Sequence, residues 1–226
     1  MVKVMSFALG SIKPQAKTPS SSNFLSNLTS DPSVFLLILS NLIAIFFAVV
    51  EGWALPEVFF LYWCQSVMIG FFQFLKILSL KDFSVEGFSI NHRPTVKSKG
   101  TQLFTAGFFA FHYGSFHFGY LLFIMAAFSL PALLSKGALF FVIVIAAFFF
   151  NHLFSYNYFK DKPFKSPPNI GMLMFQPYAR IVPMHLFIVF GIFLSAGTET
   201  VVLFLLLKTV ADVVMHVVEH SKQMGN

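Results

Sequence analysis

The sequence of 226 residues has a single cysteine, Cys64, which excludes a disulfide framework and any zinc or iron–sulfur site built from several thiolates. Charge is scarce as well. Asp, Glu, Lys and Arg make up 11% of the chain, against about 25% in soluble domains, while hydrophobic residues reach 57%. An ordinary water-soluble domain is therefore not expected, and 33 phenylalanines exclude a disordered chain. The first thirty residues lack an apolar run of the signal-peptide kind. They hold Pro14, Pro19 and the run Ser20-Ser21-Ser22, so a flexible cytoplasmic tail is expected over residues 1–30.

What the sequence has in excess is long apolar runs. A helix of about 20 residues crosses a hydrocarbon core, and six segments qualify, near 34–50, 57–78, 103–129, 137–158, 181–196 and 200–219. The runs are continuous and do not alternate with period two, which selects helices over a barrel. The expected fold is all-α: a polytopic integral membrane protein with six transmembrane helices in one membrane domain, residues 31–220, and a short tail, 221–226. The basic residues sort by side. Lys3, Lys13, Lys17, Lys76, Lys81, Arg93, Lys97, Lys99, Lys160, Lys162, Lys165, Arg180 and Lys222 fall on one face; Lys136 lies in an opposite loop and Lys208 inside the sixth span. The positive-inside rule then puts both termini in the cytoplasm of a cell-membrane protein. The formal charge of +6 becomes an orientation signal, and nucleic acid is not an expected partner.

Ionisable side chains inside a span cost about 2.5–3.5 kcal/mol each, so each needs a partner or a purpose. Here they are His112 and His117 in the third span, His152 in the fourth, His185 in the fifth, and Lys208, Asp212 and His216 in the sixth. With a rise of about 1.5 Å per residue, His112, His152, His185 and His216 share one inner-leaflet layer, with Gln73 near it. His117 and Asp212 fall about one turn deeper. Lys208, Asp212, His216 and His220 recur every fourth residue, forming one stripe on one helical face in which Lys208 and Asp212 can neutralise each other. Gln65 lies at about the depth of Lys208. His112 and His117 point about 140° apart on an ideal helix.

Imidazoles with one carboxylate in a water-poor bundle suit a zinc or iron centre, with His112, His117, His152, His185, Asp212 and His216 as candidate ligands. Asp212 is also the candidate catalytic base. Such a centre would act on a lipid or other membrane-embedded substrate by hydrolysis or oxidation. Two other classes fit the same residues: a proton- or ion-coupled transporter using the His/Asp/Lys network, and a non-catalytic protein whose histidines hydrogen-bond to nearby Tyr, Asn and Ser. Whether the chain is an enzyme, and whether it forms a homo-oligomer, stays open at this point. Arg180, in Pro177-Tyr178-Ala179-Arg180, reads as a snorkelling anchor, with lipid headgroup or phosphate binding as the alternative. Gly171 to Phe175 reads as a short interfacial piece.

The runs Phe111-His112-Tyr113-Gly114 with His117, Asn151-His152, Pro177-Tyr178-Ala179-Arg180-Ile181 with Met184-His185, and Lys208-Thr209 with Asp212, His216 and Glu219 resemble a family of uncharacterised prokaryotic multi-pass membrane proteins. The resemblance spans about residues 36–219 and implies one membrane domain with these polar residues as hallmarks, but no reaction. Where that family pattern has Tyr-Trp-x-Glu-Asn, this chain carries Gln65 and Ser66. A looser chemical analogy links the His216/His220 spacing to intramembrane zinc hydrolases of the ceramidase and adiponectin-receptor kind.

Overall fold

The continuous apolar runs become helices. The computed structural model describes residues 5–7, 32–90, 93–127, 138–161, 166–190 and 197–224. Among these, six helices form: α1 (Pro32–Val50), α2 (Leu55–Ser79), α3 (Lys99–Ala127), α4 (Ala138–Asp161), α5 (Ile170–Phe190) and α6 (Thr198–Met224). By length and composition α2, α3 and α4 are long and apolar enough to cross a membrane, and α1 is a shorter apolar helix. Their outward surface is apolar, with Phe111, Leu139 and Phe35 each at least two-thirds exposed (77%, 68% and 67%).

Helix α2 is the hub. It packs against α3, α4 and α5, while α1 packs against α4 and α6, and α5 against α3 and α6. Its buried residues recur at helical spacing, Leu55, Val58, Tyr62, Gln65, Ile69, Gln73 and Lys76 among them, so one face carries both apolar and polar groups inward. Tyr62 joins an apolar cluster with Phe148 and Phe204, and Ile77 joins a second with Phe109, Phe159 and Met174. The polar residues Gln65 to Lys76 lie between these two clusters along α2.

The α1–α2 turn follows from its sequence. Gly52 takes φ +61°, and the Trp53 N–H reaches back to the Ala48 carbonyl at 2.8 Å, the Schellman closure that glycine permits. Pro56 sits in the first turn of α2, and the Glu57 carboxylate accepts the Ala54 N–H at 3.1 Å. At the other end of α2, Gln102 of α3 donates its amide to the carbonyls of Ile77, Leu78 and Leu80 at 2.7, 3.1 and 3.0 Å, satisfying groups that the helix end leaves open. A small antiparallel sheet, ordered β1 (Met5–Phe7), β2 (Phe88–Ile90), β3 (Arg93–Pro94), adjoins this end. Met5–Phe7 thus forms a strand within the stretch expected as a tail; residues 1–4 and 8–30 lie outside the described residues.

Five helices begin within about a turn of their expected starts, and α5 does not. It starts at Ile170, not at 181, because Asn169 caps it: the Asn169 Oδ1 accepts the Met172 N–H at 3.1 Å. Gly171 to Phe175, expected as an interfacial piece, are its opening turns. A hydropathy window passes over this stretch because Gln176 and Arg180 lower its mean, although helix formation needs no apolar average. The end of the expected span, 191–196, lies outside the described residues.

Candidate functional site

The stripe on α6 turns inward. Lys208, Asp212 and His216 are 1%, 0% and 3% exposed. The Lys208 Nζ donates to both carboxylate oxygens of Asp212 at 2.7 Å and to the Gln65 Oε1 at 3.1 Å, so the three N–H groups of the ammonium each have an acceptor. The Gln65 Nε2 closes the ring by donating to Asp212 Oδ2 at 3.4 Å. The ammonium also lies 4.8 Å from the centre of the Tyr62 ring, and the Tyr62 hydroxyl donates to the Asn41 Oδ1 of α1 at 3.5 Å. Burying two charges costs several kcal/mol per ion, and geometry as complete as this is what offsets that cost. Gln65, standing where the resembled pattern has a glutamate, is the neutral group that bridges both members of the pair.

Toward the other end of α2 lies a narrow cavity of about 20 Å³, room for one water-sized group. Lys76, His152, Ser155, Gln176 and Arg180 contribute to its walls. Lys76 and Arg180 are buried, at 6% and 7% exposure, and the Lys76 Nζ lies 5.0 Å from the Phe159 ring centre. Arg180, expected as a snorkelling anchor, therefore faces the bundle. Helix α5 crosses this region through Pro177, which has no N–H for the Leu173 carbonyl four residues earlier. The Gln73 Nε2 donates to that carbonyl at 2.7 Å.

The histidines separate by direction. His112 shares a hydrogen bond between Nδ1 and the Tyr178 hydroxyl at 2.7 Å, and His185 does the same with Tyr120 at 3.0 Å. His117 bonds through Nδ1 to the Tyr113 carbonyl of its own helix at 2.9 Å, which places the proton on Nδ1 and leaves Nε2 an acceptor. That Nε2 and the His152 Nε2 are buried without hydrogen-bond partners among the described residues. Of the six candidate metal ligands, Asp212 and His216 share one face of α6, and His152 lines the cavity. Among the described residues no three His, Cys, Asp or Glu side chains form a group that could hold a metal ion. The expected single layer fails for His185: its partner Tyr120 lies eight residues beyond His112 on α3, and His185 lies seven residues beyond Tyr178 on α5, so the two imidazoles stand about 10 Å apart along the bundle. The depth expected for His185 counts from a helix start at 181, whereas α5 starts at Ile170.

Sequence reasoning missed Gln176, took Lys76 only as an orientation signal and gave Gln73 no role beyond its depth. The signal was present in α2: Gln65, Gln73 and Lys76 follow the helical spacing of Tyr62 and Ile69, so they share its inward face. A family described as a family of unknown function, DUF6498, matches residues 24–225. The chain belongs to this family. The DUF6498 match covers the ion pair and the cavity alike and assigns no activity to either. No curated protein and no solved structure matches the chain.

Proposed function

We infer that this DUF6498 chain is a six-span membrane protein, both termini cytoplasmic, that moves protons through its polar core. The observation that carries this reading is the Lys208–Asp212 pair, fully buried with Gln65 between helices whose outer surface is apolar. A well-packed apolar pair of similar volume is often as stable as a buried ion pair, so stability alone gives little reason for one here. Intramembrane charges of this kind mark ion and proton pathways. Protonation of Asp212 removes the charge that holds Lys208 and frees the ammonium to rely on Gln65 and Tyr62, which gives a two-state element. His216, one turn along α6, and His152 of α4 extend the polar path toward the basic end, where Lys76, Lys81, Lys99 and Lys160 lie at or beyond the helix ends. Imidazoles suit proton transfer near neutral pH.

The geometry gives less support to a zinc or iron centre. Both Asp212 oxygens are 2.7 Å from an ammonium, which repels a second cation. Metal analysis of purified protein separates the readings: transport predicts no tightly held, stoichiometric zinc or iron that His216→Ala removes. In liposomes the transport reading predicts proton flux that Asp212→Asn abolishes.

A further inference from the structure

The cavity beside Pro177 has chemistry of its own. Its polar walls come from three helices: Gln73 and Lys76 of α2, His152 and Ser155 of α4, Gln176 and Arg180 of α5. Lys76, His152 and Arg180 are each more than nine-tenths buried, at 6%, 7% and 7% exposure, so this is an interior arrangement and not a fringe of solvated lysines. Two wall atoms, the His152 Nε2 and the Gln176 Oε1, are buried without a hydrogen-bond partner among the described residues. Native structures rarely leave such atoms unsatisfied, and each one needs an explanation.

The two atoms ask for different things. The Gln176 Oε1 can only accept a hydrogen bond, whereas the His152 Nε2 donates one in the neutral tautomer that carries its proton there. A ligand that satisfies both brings an oxygen acceptor and an O–H, and a place beside two basic side chains favours a negative one. Chloride, sulfate and carboxylates carry no O–H at neutral pH. Hydrogen phosphate carries both, as does the monoanion of a phosphomonoester, and arginine suits the fork of phosphate oxygens. The cavity has room for one oxygen-sized group, so the ligand enters it by one vertex, with Lys76 and Arg180 beside it. We propose that this cavity binds one vertex of a protonated phosphate group, through His152 and Gln176, with Lys76 and Arg180 beside it. The proposal stands apart from the transport reading, because binding at equilibrium needs no gradient.

The test titrates the full-length protein in detergent with inorganic phosphate and, at matched ionic strength, with sulfate, following thermal stability through Trp53 and Trp63 fluorescence. Saturable stabilisation by phosphate is expected, with sulfate weaker by about tenfold or more, since a site built to accept a hydroxyl hydrogen bond discriminates against analogues that lack one. Gln176→Leu is expected to narrow the difference between the two anions, and Arg180→Gln to weaken both by about tenfold. Should Arg180→Gln lose its monodisperse profile, Arg180→Lys serves, keeping the charge but losing the fork. Nanodiscs of phosphatidic acid or of phosphatidylcholine then locate the source: loss of the phosphate response only with phosphatidic acid identifies a lipid headgroup, and its persistence in both identifies free phosphate. Phosphate and sulfate acting alike on the native protein, or neither binding, overturns the proposal and leaves a water molecule as the occupant. Phosphate binding unchanged by both Gln176→Leu and the Arg180 variant overturns it too.

Discussion

Gln73 of α2 donates its side-chain amide to the Leu173 carbonyl, the one acceptor in α5 that Pro177 deprives of its helical N–H. A proline in a buried helix is thereby satisfied by a neighbouring helix, as an environment poor in water requires. Gln73→Leu leaves that carbonyl buried and unpaired, and a loss of about 1–3 kcal/mol of stability is expected. Pro177→Ala restores the helical donor, so the same glutamine substitution costs less in that background. Unfolding of the single and double variants in detergent measures the coupling; additive losses would contradict it.

Gly70 sets the approach of α2 to α3. A Cβ placed there would stand 2.4 Å from the Tyr113 Cε1, and the Tyr113 ring is held in place by its hydroxyl, which donates to the Ser66 carbonyl at 3.0 Å. Gly70→Ala is expected to lower stability by about 1–3 kcal/mol through overpacking. Tyr113→Leu in the same chain removes the clash and recovers part of the loss, as thermal unfolding would show.

Much of this was legible in the sequence. The helices follow from uninterrupted apolar runs, and the Lys208–Asp212 pair follows from a spacing of four on one helix. The start of α5 was also written, in Asn169 after Pro167-Pro168, but in capping chemistry to which a hydropathy average is blind. The fate of the histidines was not legible. Which way an imidazole points depends on the rotation and packing of each helix, so His112 and His185 meet tyrosines of facing helices, and the depth expected for His185 fell with the start of α5 from which it was counted. Gln65 shows the reverse case: read as a missing carboxylate, it is the group that ties Lys208 to Asp212.

Outside the helices, Lys97 pairs with Asp82 and hydrogen-bonds to it, which holds the Asp82 carboxyl below its usual range, with a smaller contribution from the Phe83 N–H. The folded value is the depressed one, so any stabilisation is present above the ordinary carboxylate pKa and is lost as pH falls through the folded value. Both side chains are more than half exposed, at 52% and 55%, so salt screens the pair strongly. Carbon-13 titration of Asp82 should therefore give a midpoint below that of a free aspartate, moving up in Lys97→Met and in about 1 M salt. A midpoint indifferent to both would refute the pairing.

Removing one member of the buried pair strands the other. Lys208→Met or Asp212→Leu alone is expected to cost about 3–5 kcal/mol, while the two together, being neutral and apolar, recover most of that stability. Unfolding of the three variants in detergent checks this, and a double variant no more stable than the worse single one would contradict it.

The double variant also isolates function from folding. Protein with Lys208→Met and Asp212→Leu, and protein with Asp212→Asn, are reconstituted beside the native chain in liposomes containing a trapped pH indicator, and an imposed proton gradient is followed with and without phosphate outside. The account predicts that the native protein dissipates the gradient faster than empty liposomes, and that both variants, monodisperse and inserted, fall to the empty rate. Native protein that carries no protons under any gradient, or a double variant that carries them as well as the native chain, would contradict it.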